Sequence, residues 1–157
     1  MKKENANQKN SSKTDKKLFR EWIDLADNDL GFARTAFNEF DRFYSQMCIQ
    51  AHQATEKYLK GFLIFHEKNF PKIHDLSYLV KQCAKIDKEF KEHSDFCKRI
   101  TDYYVYLRYP VTLPPRNRTE VEEAIEIAEE IGNLVKTKTN SNKKQKWKKT
   151  PIKYLKN

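Results

Sequence analysis

With 157 residues, the chain is long enough for one domain with a real core and short for two. Only Gly31, Gly61 and Gly132 are available for the special turns of sheet-rich folds, which points to helices joined by a few loops. The formal net charge of +9 sits at the ends, so it does not imply a basic face on the folded part.

Residues 1–17 carry six lysines against Glu4 and Asp15, and residues 136–157 carry nine lysines and no acid. The stretch between them holds 16 basic and 20 acidic residues and is mildly acidic. Residues 1–16 are lysine, asparagine, serine and glutamine with almost nothing to bury, which predicts a disordered tail. A first helix is expected from about Leu18 to Asn38, where Phe19, Trp22, Ala26, Leu30, Ala33 and Phe37 recur at helical steps. Arg20, Asp24, Asp27 and Arg34 fall on its polar side.

A second helix is expected from about Arg42 to Glu67, with Tyr44, Met47, Cys48, Ala51, Ala54, Tyr58, Leu59, Phe62 and Leu63 on a broad apolar face. The small residues Ala51 and Ala54 would let a neighbouring helix come close. Asn69, Phe70 and Pro71 interrupt the chain, and a short third helix follows near Asp75 with Leu76, Leu79, Val80 and Cys83 inward. A fourth helix is expected from about Asp87 to Leu107, with a seam of Phe90, His93, Cys97, Ile100, Tyr104 and Leu107. It stops before Pro110 because the residue preceding proline is pushed out of helical geometry. Thr119, Glu120, Val121 and Glu122 read as a capping box that opens a fifth helix, whose stripe is Val121, Ala124, Ala128, Ile131 and Val135. The predicted organisation is a basic tail over 1–16, a helical bundle over 17–137 and a lysine-rich tail over 138–157.

Two helical faces carry chemistry. On the second helix Gln53, Glu56 and Lys60 share a face with Lys57 beside it. Glu56 to Lys60 is the favourable orientation for a helical ion pair, and the plain reading is that pair alone. The functional reading places both residues at a pocket near a phosphate or base. On the fourth helix Arg99, Tyr103 and Tyr106 share a face that Arg108, Tyr109 and Pro110 close. Tyrosines stack on bases and arginines fork onto phosphate oxygens; packing within the bundle is the competing use of Tyr103 and Tyr106. Asp75 reads as a helix N-cap with His74 ahead of it. His52, one turn before Glu56, reads as a packed residue able to titrate near neutrality. Trp147 and Tyr154 interleave with the C-terminal lysines, which suits either nucleic acid or a protein partner.

Cys48, Cys83 and Cys97 are odd in number and form no CxxC pair, which suits reduced thiols in a cytoplasmic protein. No HExxH, CxxC pair or histidine–carboxylate cluster marks a metal site, no glycine-rich phosphate loop is present, and no serine sits in a nucleophile elbow. No metal and no cofactor is expected. The N-terminus lacks the apolar run of a signal peptide, and no stretch approaches the ~20 apolar residues of a membrane helix.

Taken in order, Trp22 to Leu30, Ala51 to Lys60, His74-Asp75-Leu76, Leu107-Arg108-Tyr109-Pro110 and the closing run Val121 to Ala128 resemble the HEPN domain (higher eukaryote and prokaryote nucleotide-binding). The resemblance spans about residues 18–137. It implies an all-α, four- to five-helix up-and-down bundle, commonly a homodimer, that meets a nucleotide or RNA near its fourth helix. Many members of the family work beside a minimal nucleotidyltransferase as toxin–antitoxin pairs. Catalytic members cut RNA without metal, using an arginine followed four to six residues later by a histidine to stabilise phosphate charge and move protons. No arginine of this chain has a histidine at that spacing, so no catalytic residue is assigned. The expected function is nucleotide or RNA binding without catalysis, through Glu56, Lys60, Arg108 and Tyr109, with Arg99, Tyr103 and Tyr106 behind them. The alternatives are a metal-independent endoribonuclease toxin that borrows His52 or His74, and a structural helical adaptor.

Overall fold

The computed structural model describes residues 2–108 and 116–140, with side chains described over 16–101 and 116–140. Its helices are α1 (Lys2–Glu39), α2 (Tyr44–Phe65), α3 (Leu76–Ile86), α4 (Ser94–Arg108) and α5 (Arg118–Lys138), with a 3-10 segment (Lys88–His93) ahead of α4. No strand occurs among the described residues, so the all-helical expectation holds. The C-terminal tail from residue 141 and the loop over 109–115 lie outside the described residues.

α1 begins at Lys2, well ahead of the start expected at Leu18. Neither proline nor glycine interrupts the chain before Gly31, and lysine and glutamine accept helical geometry readily. Among the described side chains of α1, Phe19, Ile23, Ala26, Ala33 and Ala36 are buried, with Leu30 and Phe37 packed against this core. Trp22 of the expected stripe is only partly buried, and Ile23, which the stripe left out, takes the inward position.

The expected second helix starts two positions late, at Tyr44, because Phe43 sits at φ 66° and ψ 26°. That left-handed conformation costs a residue with a Cβ roughly 1–2 kcal/mol and turns the chain sharply between α1 and α2. α2 is the central helix and packs on α1, α3, α4 and α5. Its faces meet α1 at Gly61, where an added Cβ would stand 3.2 Å from Ile23 Cδ1, and α5 at Tyr58, whose ring is 2.7 Å from the Cβ that Gly132 lacks. Only glycine lets α5 lie that close to a fully buried tyrosine.

Asp27 and Arg34, expected on the polar side of α1, instead tie the bundle together. Asp27 accepts from the Tyr58 hydroxyl and, at 2.5 Å, from Lys136 Nζ. Asp29 pairs with Lys57, Arg34 with Glu129, and Arg118 with Asp41 at 2.9 Å. These contacts run α2 and α5 in the same direction, both antiparallel to α1.

Asp75 caps α3 as expected, accepting from the Tyr78 backbone N–H at 3.0 Å. The backbone N–H groups of Leu76 and Ser77 donate to Thr101 Oγ1 at 3.1 and 3.3 Å, which pins the start of α3 to α4. The single fourth helix expected from Asp87 is broken. Asp87 is extended and accepts from the Glu89 N–H at 3.0 Å, so it caps a 3-10 segment before α4 opens at Ser94. Lys138 of α5 holds this corner, reaching Asp87 at 2.8 Å and Glu89 at 2.5 Å. Phe90, Cys97 and Ile100 of the expected seam are buried all the same, with Phe90 against Phe62 at 4.5 Å.

The capping box of α5 exists two residues earlier than expected. Asn117 Oδ1 accepts from the Glu120 N–H at 3.0 Å, and the Glu120 carboxylate accepts from the Asn117 N–H at 2.8 Å. Asparagine is at least as good an N-cap as threonine, and Arg116 strengthens this choice by pairing with Glu120 at 2.8 Å. The predicted stripe Val121, Ala124, Ala128, Ile131 and Val135 is wholly buried.

Candidate functional site

Midway along α2, Glu56 and Lys60 are 7% and 6% exposed. Lys60 Nζ donates to Glu56 Oε1 at 2.7 Å, which is the ion pair the helical spacing predicts. The burial was not predictable from that spacing. Two opposite charges withdrawn from water carry a desolvation cost that only close pairing offsets.

A third group completes the cluster. His74, at the end of the α2–α3 linker, brings Nδ1 to 2.9 Å from Glu56 Oε2 and 3.2 Å from Oε1. A carboxylate can only accept, so Nδ1 carries the proton and the ring orientation is set. The His74 side chain is 45% exposed, whereas the Lys60 and Glu56 side chains are 7% and 9% exposed. Trp22 of α1 and Phe70 of the linker meet edge to face at 6.3 Å. Lys60 Nζ lies 5.8 Å and 5.6 Å from their ring centroids, within range of cation–π attraction.

His52 lies one turn before Glu56 and is fully buried. Burial drives its pKa down to about 4, against an opposing pull from Glu56 and with smaller contributions from His74 and Lys60. Its ring is therefore neutral near pH 7, in keeping with a packed residue. The cysteines are buried as well: burial pushes Cys48 and Cys97 up to about 12 and Cys83 higher still, so none is poised as a thiolate. Among the described residues no three histidine, cysteine, aspartate or glutamate side chains are grouped to hold a metal ion, and no helix is long and apolar enough to cross a membrane.

The structure brings Glu56 and Lys60 together, while Lys57 turns to α1 and pairs with Asp29, with Gln53 at 3.3 Å. Arg99 is exposed, pairs with Glu123 of α5 and lies 5.1 Å over the Phe96 ring, so its partners are separate from those of the Glu56 cluster. Tyr103, Tyr106 and Arg108 belong to α4, but their side chains lie outside the described residues, as does the whole of Tyr109. Trp22 and Phe70 are residues that the sequence does not place at the site, and it brings His74 there only in the endoribonuclease alternative. In sequence Trp22 reads as part of a core stripe and His74 as the neighbour of the Asp75 cap. The one local signal was a histidine and an aromatic flanking a proline between two helices.

The chain matches the HEPN domain family over residues 19–138. A crystal structure of TT1696 from Thermus thermophilus superposes with a TM-score of 0.66 at 26% identity, covering 76% of this chain and 97% of that one. A crystal structure of ST0689, an archaeal HEPN homologue, gives a TM-score of 0.57 at 25% identity, covering 77% of this chain and 97% of the other. No curated protein matches.

Proposed function

Because this chain belongs to the HEPN family, we propose that it is a binding module for a nucleotide or RNA, without catalysis of its own, acting with a minimal nucleotidyltransferase in a toxin–antitoxin-like module. The observation that carries this reading is the buried Glu56–Lys60 pair that reaches the surface through His74 beside two aromatic rings. Such a cluster offers an exposed imidazole and aromatic stacking surface in one place, which suits the phosphate and base of a nucleotide. In this reading Glu56 positions both Lys60 and His74, and Arg108 with Tyr109 meets phosphate and base. Tyr103, Tyr106 and Arg99 are supporting contacts.

Isothermal titration of the full chain with ATP, GTP and a short single-stranded RNA tests it. Saturable binding is expected, weakened by Arg108→Ala. Absence of binding at protein concentrations of roughly tens of micromolar, against dissociation constants in that range, defeats the reading and leaves a structural adaptor.

The homodimer belongs to the same proposal. Leu18, Leu25 and Phe32 recur every seventh residue on the outer side of α1 and are 40%, 51% and 58% exposed, with Phe40 and Phe43 exposed beyond them. A heptad-spaced apolar stripe suits pairing with another helix, here α1 of a second copy. Light scattering should give twice the chain mass for the native protein and the single-chain mass for Leu25→Glu/Phe32→Glu. A native protein that scatters as a single chain at every concentration rules the pairing out.

A further inference from the structure

We infer that His74 is the ligand-contacting end of the Glu56–Lys60 cluster and that it takes an anionic phosphate oxygen of the bound nucleotide or RNA. The inference rests on the reading of the chain as a nucleotide- or RNA-binding domain, and it adds a contact that comes from the α2–α3 linker, outside α4.

The division of exposure is the first support. Lys60 is the obvious cation, yet Glu56 and the rings of Trp22 and Phe70 enclose it and leave it 6% exposed. A ligand in solvent reaches it poorly. His74 is held by the same carboxylate and is open over nearly half its side chain.

Orientation is the second. Glu56 Oε1 takes the lysine at 2.7 Å and Oε2 takes His74 Nδ1 at 2.9 Å, so one buried carboxylate fixes both groups. With its proton committed at Nδ1, the ring meets a ligand through Nε2. A carboxylate placed behind a histidine in this way fixes its tautomer and its orientation.

Charge balance is the third. Lys60 and Glu56 cancel, so the exposed imidazole has no net negative charge behind it to repel an anion. A phosphate bound at Nε2 with a proton between them completes the arrangement: Nδ1 donates to Glu56 and Nε2 to the phosphate oxygen, in a charge-assisted hydrogen bond. Trp22 and Phe70, partly buried beside the cluster, offer ring surface to a base.

The test titrates the full chain with ATP and with adenosine, for native protein, His74→Ala and His74→Gln, and follows the imidazole nitrogens of His74 by nitrogen-15 NMR in the native protein. ATP is expected to bind more tightly than adenosine. His74→Ala should weaken ATP by about tenfold and leave adenosine unmoved, as loss of one hydrogen bond to a charged group implies. His74→Gln, which keeps a donor without the charge, should fall between. The Nε2 resonance should shift with ATP and stay still with adenosine. Native protein that binds ATP while His74→Ala binds it equally well overturns the inference and leaves the binding reading standing. Native protein that binds neither probe overturns the inference, and if it also binds neither GTP nor the short RNA the binding reading falls with it. Should His74→Ala misfold, a His74 Nε2 resonance that does not move on ATP saturation overturns the inference by itself.

Discussion

Glu56→Ala is expected to cost about 3–5 kcal/mol of folding stability, because it leaves the Lys60 ammonium buried with its carboxylate gone. Lys60 is 6% exposed, and Glu56 is the carboxylate that it contacts at 2.7 Å. The flanking Trp22 and Phe70 rings, more than 5 Å from Nζ, offer only a weak substitute. Urea unfolding measures the loss directly. Replacing both partners with apolar residues of similar volume, as in Glu56→Leu/Lys60→Met, should cost far less than the single change, since no charge is then stranded. A loss below roughly 1 kcal/mol for Glu56→Ala would mean that water reaches Lys60 readily, as at a surface pair. The site would then be an open cleft and not a buried pair with one exposed arm.

Stability should also fall as pH drops from 6.5 towards 4, by on the order of 3 kcal/mol through His52 alone. In the unfolded chain the imidazole titrates at its ordinary 6.5, whereas burial holds it at about 4 in the folded protein. Between those values the unfolded chain binds a proton that the folded chain refuses, so protons favour unfolding. The full contribution is present above 6.5, and below about 4 nothing further is lost from this group. Glu56 opposes the shift and Lys60 reinforces it, while His74 acts both ways, lowering the value electrostatically and raising it through its backbone hydrogen bond. His66, lowered chiefly by burial and then by Lys68, acts in the same direction. Unfolding free energies of native protein and His52→Leu, measured across this pH range, separate the His52 part. A native and a variant profile that run parallel from pH 7 to 4 would show that the ring is protonated in the folded state.

Much of the helical arrangement could be read before any fold was known. The α5 stripe needed only apolar residues at three- and four-residue steps, and all five are buried. The Asp75 cap needed only an aspartate before an apolar run. Errors came where two local solutions were nearly equal and a distant residue chose between them. Thr119 and Asn117 can both cap α5, and Glu120 with Arg116 completes the box at Asn117. Asp87 could have continued a helix, but Lys138, on another helix, holds it at the corner where the 3-10 segment begins.

The candidate site divides in the same way. The Glu56–Lys60 pair was legible because residues one turn apart on a helix are neighbours whatever the rest of the chain does. Its burial, the Trp22 and Phe70 rings around it and the arrival of His74 across 18 residues depend on how α1 and the α2–α3 linker cover α2. The conversion of Asp27 from a solvent-facing acid into a strut to Tyr58 and Lys136 has the same origin, as does the pairing of Asp29 with Lys57. Sequence by itself determined which segments are helical and which stripe each buries, because those follow from periods of a few residues. Tertiary structure decided which polar residues lost their water and which partners they found, because desolvation depends on what lies across the interface and not on the neighbours in the chain.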